Sequence, residues 1–419
     1  VDVAVVSRPS GAWASAFARA RSLVRPLSVA DYRRLWLAQV ASELGDWATR
    51  LALTLVVYDR THSAALSAAV VTVSLLPWIG LGQLLAAAVD RFPRRAVMAG
   101  ADLGRAAVFA VLVLPLPIGV VFVGAFLAGT LTPPFEAARY SIRVEVTDDD
   151  ELYSGAVTLF GITNQAATVA GFALGGALVA LVGARATFAV NAASFCVSAF
   201  FVLRVRTRSV GGGREAGARS HLARGLRALL DDPVLRWCST LSLASAFAGM
   251  AVEAIAAPYG HGHPGAVTLL AASVPVGVIA AGVLAPHSGA PRRLLRAAGL
   301  LPVIGGAVGV ALFSSGPQLL LAAFGFAAAG LAVSVPVPAS PVVGRRLAPD
   351  VRSPAFSLLQ GANLGGQAAG AAVGGMLAGI FGPRPTCIAA CGALCLLGAA
   401  ASVRLPQAEQ VELALAVES

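Results

Sequence analysis

The sequence contains no lysine: all 31 of its basic residues are arginine. That absence excludes a phosphate loop ending in Gly-Lys-Ser/Thr, and with it ATP hydrolysis by this chain. It equally excludes a Schiff base on a lysine amine. Charge of either sign is scarce. Charged residues make up 12% of the 419, about half the share of soluble globular proteins, while 57% are hydrophobic and mean hydropathy is +0.78. No soluble core buries such an excess, so the lipid bilayer is the solvent this composition requires. The net charge of +10 is then a matter of loops facing a membrane surface, not of nucleic-acid binding. Cysteine is also sparse. Cys196, Cys238, Cys387, Cys391 and Cys395 all fall in or at apolar runs, and they lack the loop spacing of a zinc site. They read as small packing residues, and His261 and His263 as part of a solvated loop. No metal and no cofactor is expected.

What the chain has in abundance is apolar sequence in pieces long enough to cross a hydrocarbon core of about 30 Å. The runs cover 35–57, 64–89, 96–116, 119–138, 155–182 and 186–203, then 237–258, 265–285, 294–313, 318–340, 354–380 and 385–403. This predicts an all-α polytopic membrane protein with twelve transmembrane helices in two six-helix, pseudo-symmetric halves. The expected organisation is a basic arm over 1–34, a first half over 35–203, a linker over 204–236, a second half over 237–404 and a tail over 405–419. Arginines concentrate in the connections after even-numbered runs, as Arg91, Arg94 and Arg95, Arg139 and Arg143, Arg292, Arg293 and Arg296, and Arg345, Arg346 and Arg352. The positive-inside rule then places both termini in the cytoplasm. The linker becomes amphipathic towards its end, with Leu222, Leu226, Leu229 and Leu230 on one helical face before Asp231, Asp232 and Pro233 stop it. A tether ending in a helix on the inner membrane surface is the expectation.

The halves repeat one another at a constant offset of 199 residues. Asn164-Gln165-Ala166 through Thr187 matches Asn363 through Thr386, pairing Gly171 with Gly370, Gly175 with Gly374 and Gly176 with Gly375. Gly183 pairs with Gly382, Arg185 with Arg384 and Thr187 with Thr386. A matched Asn, Arg and Thr in one ungapped register indicates duplication. The Gly-x-x-x-Gly spacing in both copies lets helices approach closely in lipid, so these glycines read as packing positions.

Charges inside apolar runs are expensive, about 2.5–3.5 kcal/mol at mid-helix on insertion scales, and they suggest function. Asp46 lies midway along the first run with Arg50 one turn on, a spacing that allows them to pair. Glu253 lies in the seventh run with no charged residue within a turn. Glu136 and Arg139 close the fourth run after Pro133-Pro134, and Asp102 and Arg105 look structural. Asp46, Arg50, Glu253 and Glu136 are therefore the candidate proton-coupling residues. Trp47, Asn164, Gln165, Asn363 and Gln367 are candidate cavity residues, and the amides serve equally as hydrogen bonds between helices.

The second connection reads Ala86-Ala87-Ala88-Val89-Asp90-Arg91-Phe92-Pro93-Arg94-Arg95. It resembles the signature loop of the major facilitator superfamily, Gly-x-Leu-Ala-Asp-Arg-x-Gly-Arg-Arg, with Ala86 and Pro93 where that family has glycine. Tyr32-Arg33-Arg34-Leu35-Trp36, Gly45-Asp46-Trp47, and Asp102 followed by Arg105 are similar to the branch holding the enterobactin exporter and macrolide-efflux proteins. The resemblance implies two halves rocking about a central cavity. It also implies that Asp90, with Arg91, Arg94 and Arg95, latches against the start of the eleventh helix, where Ser353-Pro354 offers an N-cap and first-turn proline. Gly171-Phe172-Ala173-Leu174-Gly175-Gly176 is similar to the family's antiporter motif, with phenylalanine in place of its proline. The expected function is export of a small amphipathic compound in exchange for protons by a monomer in a bacterial inner membrane. An uptake permease or a non-transporting receptor on the same fold are the alternatives.

Overall fold

The computed structural model describes residues 24–78, 92–147, 150–207, 218–284, 291–316 and 318–418, and these contain helices and no strand. The first half holds α1 (Ala30–Thr61), α2 (Ala64–Leu75), α3 (Arg94–Leu112), α4 (Ile118–Val146) and α5 (Asp150–Leu203). The linker contributes α6 (Ala218–Asp231). The second half holds α7 (Pro233–Glu253), α8 (Ala256–Tyr259), α9 (Pro264–Leu284), α10 (Pro291–Ser315), α11 (Leu319–Ala332), α12 (Pro336–Arg346), α13 (Pro349–Phe381) and α14 (Pro383–Glu418). Eight segments among the described residues are long and apolar enough to cross a membrane. α1 is not one of those eight. Its 32 residues span about 48 Å, more than a bilayer core, and carry Glu43, Asp46 and Arg50 mid-length.

Helix boundaries depart from the apolar runs where local chemistry overrides hydropathy. Two expected crossings merge into α5, interrupted only at Gly183, whose φ of +84° is one that glycine adopts without strain. Its repeat partner Gly382 has φ of +90° between α13 and α14. Thr187 and Thr386 each return a hydroxyl hydrogen bond to the carbonyl of their own glycine, at 3.3 and 2.9 Å. α4 does not end after Pro133-Pro134 but continues to Val146, with both prolines inside the helix. Hydroxyls of Thr130 and Thr132 bond back to Phe126 O and Ala128 O just upstream of the prolines. The expected start of the eleventh helix at Ser353-Pro354 is corrected: α13 begins at Pro349 with Ala348 as N-cap, so Ser353 lies within the helix. The linker helix ends as predicted. Asp232 caps α7, accepting from Val234 N at 2.7 Å and Leu235 N at 3.1 Å, with Pro233 at the first position.

The duplicated glycines set the packing of both halves. In the first, α1 runs against α5, and a Cβ on Gly175 would stand 2.7 Å from the Cα of Ala48. In the second, α7 runs against α13, and a Cβ on Gly374 would stand 2.7 Å from the Cα of Ala251. The third glycine of each copy turns to the other half. Gly176 abuts Thr268 of α9, and Gly375 abuts Ala64, Ala65 and Ala68 of α2. Thr72 adds a hydrogen bond across the same seam, to Ala368 O at 3.2 Å.

Buried clusters show where the halves join. Leu51, Leu55 and Phe172 share one core with Val252, Ile255, Tyr259, Phe313 and Phe326. A second core mixes Val57, Val71 and Phe195 with Met250, Ala254 and Ala371. Both lie towards the end where α1 meets α2. At the arginine-rich end the cores are separate. Tyr32, Leu35, Met98, Phe135 and Ile142 pack only with first-half residues, and Leu235, Leu294, Val342 and Leu347 only with second-half residues and the linker's Leu229. Among the described residues, which omit 79–91, 208–217 and 285–290, the buried clusters are therefore shared by the halves at one end and separate at the other.

Candidate functional site

α1 carries the charges around which a site is built. Tyr32, Trp36 and Gln39 fix this helix to α5, donating to Ala156 O at 2.8 Å, Thr163 Oγ1 at 2.8 Å and Phe160 O at 3.4 Å. Above this anchor, Glu43, Asp46 and Arg50 recur at helical spacing on one side of α1, and each reaches a different helix. Glu43 Oε1 lies 3.6 Å from Arg139 Nη1 of α4, whose other nitrogen binds Glu136. Asp46 Oδ2 lies 3.5 Å from Arg105 Nη1 of α3, which also binds Asp102. Arg50 Nη1 lies 3.7 Å from Glu253 Oε1 of α7.

Two sequence expectations are thereby corrected. Asp46 does not pair with Arg50; its cation is Arg105, and Arg50 reaches outwards instead, over the Trp47 ring at 4.8 Å and on to Glu253. Glu253 is accordingly not isolated from cations. The i,i+4 spacing permits a pair within α1, but tertiary partners offer each group a desolvated opposite charge, and these win. Asp102 and Arg105 are more than a local pair, since Arg105 also serves Asp46.

The surroundings differ along this ladder. The Arg105 side chain is 3% exposed, held between the rings of Phe195 at 4.3 Å and Phe135 at 4.7 Å, whereas the Asp46 side chain keeps 42% exposure. A cation held among aromatic rings therefore faces a carboxylate that the protein covers less closely. The Arg50–Glu253 pair is more enclosed and lies in the joined end, crossing from the first half to the second. Beside it is a cavity of about 20 Å³, room for about one water, lined by Thr54, Val71, Phe172, Met250 and Ala271 among others.

The sequence profile of the Major Facilitator Superfamily matches residues 35–323, well over half the chain. The chain belongs to the Major Facilitator Superfamily. A superfamily relative in Bacillus subtilis (strain 168), the uncharacterized MFS-type transporter YfiS, is 28% identical over 174 residues. That alignment spans 41% of this chain and 42% of the relative, less than half its length. Solved structures share the fold at low identity. The nucleoside transporter NupG superposes with a TM-score of 0.67 at 15% identity, over 89% of this chain and 98% of its own. A bacterial homolog of the human lysosomal transporter Spinster, inward-facing and unoccupied, gives 0.63 at 16% identity, over 90% and 95%. A POT family transporter in complex with 5-aminolevulinic acid gives 0.68 at 10% identity, over 90% and 96%.

In this superfamily member, Trp47 stands edge-on to Phe172 at 5.2 Å, with Gly171 against its Cβ. The Asn164 and Gln39 amides face Glu43. Gln165, Asn363 and Gln367 are half-buried on α5 and α13. Asp90 and Arg91 lie outside the described residues, as does the Ser353 side chain. Arg94 binds Glu145 of α4, and Arg95 donates to Val205 O at 2.8 Å, so both tie the start of α3 within its own half. Sequence reading missed Glu43 and gave Arg139 no role. The spacing of Glu43, Asp46 and Arg50 on one helix face was the available signal for the first. Nothing local marks Arg139 as the partner of Glu43.

Proposed function

We propose that this chain is a secondary-active exporter of a small amphipathic compound, working by alternating access in exchange for protons. It would work as a monomer in a bacterial cytoplasmic membrane with both termini inside. The rocking bodies are residues 35–203 and 237–404. The observation that carries this reading is the Arg50–Glu253 pair, because it joins the two halves at the end where their cores merge. Separating the halves there must part these charges in a low-dielectric setting, which is unfavourable unless a proton neutralises Glu253 or a ligand takes its place beside Arg50. Ion-gradient energy and conformational change thus meet at one contact. The unequal charge of the halves adds support, since the ladder on α1 has no counterpart on α7 apart from Glu253. Export as the direction, and a drug-like or secreted natural product as the cargo, rest on the resemblance at Tyr32–Trp36 and Gly45–Trp47 to exporters of siderophore and macrolide. Trp47 and the amides of Asn164, Gln165, Asn363 and Gln367 are the proposed cavity contacts.

Expression in an efflux-deficient bacterial host tests the reading. Growth inhibition across compound classes identifies a cargo, and intracellular accumulation of that cargo gives the direction. Export lowers accumulation and raises tolerance. Raised accumulation would make the protein an uptake permease, and an unchanged level across all classes would leave a receptor.

A further inference from the structure

At the divided end of the bundle, within the first half, a partly open recess lies between α1, α4 and α5. Its walls are Tyr32, Trp36 and Gln39 of α1, Arg139 and Arg143 of α4, and Phe160 of α5, and its enclosed part measures about 10 Å³, close to the room one water needs. Most of its polar tips are already engaged. The Tyr32 hydroxyl is spent on Ala156 O and the Trp36 indole N–H on Thr163 Oγ1. Arg139 is held from two sides by Glu43 and Glu136. Arg143 is different. Its guanidinium lies 4.8 Å from the Phe160 ring centre and 5.2 Å from that of Tyr140, yet among the described residues no carboxylate pairs with it, and its Nε is buried without an acceptor.

Aromatic faces stabilise a guanidinium from above and below but satisfy none of its N–H groups, which point out along its edge. A guanidinium close to two rings, with no carboxylate partner among the described residues, is suited to a bidentate carboxylate or phosphate. The aromatic walls are suited to the apolar body that such an acid carries. We infer that this recess is an anion subsite in which Arg143 binds the carboxylate or phosphate of an amphipathic acid, whose apolar part stays at the open mouth beside Phe160 and Trp36. The inference rests on the transport reading above and narrows its substrate class to acids. A soluble acid and an anionic lipid headgroup present the same chemistry to Arg143.

The test uses the full chain in nanodiscs of zwitterionic lipid, with naphthoate and its neutral isostere naphthamide as probes in equilibrium dialysis. Naphthoate is expected to bind at least tenfold more tightly than naphthamide. Arg143→Gln removes that preference while leaving naphthamide binding within about twofold. Arg143→Lys, which keeps the charge but not the planar fork, retains part of it and shows that a folded variant responds in graded fashion. Equal binding of the two probes by the wild type, or an undiminished preference in Arg143→Gln, overturns the subsite. Repeating the titration with phosphatidylglycerol in the nanodisc separates the sources: displacement of naphthoate identifies a headgroup as occupant, and unchanged binding a soluble acid. Binding needs no transport, so a protein that exports nothing yet prefers naphthoate keeps the subsite and loses only the exporter.

Discussion

Asp31 shows how one carboxylate can tie distant parts of the chain together. It lies ahead of the first apolar run, outside the membrane span, and accepts hydrogen bonds from Arg206 N at 3.0 Å, Thr207 N at 2.9 Å and the Thr207 hydroxyl at 2.8 Å. Arg34 pairs with its other oxygen. Partial burial works to raise its pKa, but the Thr207 hydroxyl, the two backbone donors and Arg34 together hold it below the ordinary 3.8. A carboxyl lowered by folding contributes stability in full above its unfolded pKa, and loses it as pH falls through the folded value. Wild type should therefore exceed Asp31→Asn by about 1–2 kcal/mol near pH 6, with the difference shrinking as pH falls below 3.8 and through the lowered folded value. Thermal unfolding of both proteins in mild detergent from pH 6 down to about pH 2 measures it; a difference as large at the acid end as at pH 6 removes the carboxylate from the account. None of these partners lies near Asp31 in sequence apart from Arg34. The same limit explains Asp46 and Arg50, whose presence in the span was legible but whose partners were not. Spacing along a helix shows which residues share a face; it does not show which neighbouring helix meets that face.

At the scale of helices, the repeat was legible because packing in lipid depends on small residues at fixed positions. The matched glycines foretold close approach in both halves, and the structure places the paired Gly183 and Gly382 at equivalent breaks. The sequence did not reveal that the glycines divide their labour. Gly175 and Gly374 pack within a half, whereas Gly176 and Gly375 face the opposite half. Substitutions should separate the two roles. A leucine at Gly374 forces α13 away from Ala251 inside one half and is expected to lower yield and thermal stability. A leucine at Gly375 pushes against Ala64, Ala65 and Ala68 of α2 and is expected to leave each half folded while opening the joined end. In a background with the five native cysteines removed, Thr72→Cys reports on that end, since Thr72 bonds across the same seam. Gly375→Leu should speed its modification by a water-soluble maleimide at least fivefold. An unchanged rate alongside unchanged stability would mean that the seam yields without separating.

The whole molecule combines a duplicated scaffold with charges that were not duplicated. Fold class was legible from composition, run lengths and the 199-residue offset, because a bilayer admits few ways to satisfy a backbone. Orientation is a separate matter, argued from arginine placement. In the cysteine-free background, Ser220→Cys on α6 should label only from the cytoplasm and His62→Cys, at the end of α1, only from outside; the reverse pattern would invert the topology.

The proposed coupling likewise depends on the two halves together. Asp46 and Arg105 belong to one half, so rocking need not part them. Arg50 and Glu253 belong to different halves and must separate when the joined end opens. On the reading proposed above, a proton on Glu253 would cancel the attraction and let Arg50 withdraw, whereas an unprotonated Glu253 would draw the halves together. Glu253→Gln mimics the protonated form permanently. It should retain downhill exchange of cargo in proteoliposomes but lose accumulation driven by an imposed pH gradient, by at least tenfold. Asp46→Asn should slow transport while keeping its response to the gradient, because its partner Arg105 lies in its own half and not across the contact between halves. If Glu253→Gln still accumulates cargo against a gradient that Asp46→Asn ignores, coupling belongs to the Asp46 carboxylate on α1, and the pair across the halves is only a fastening.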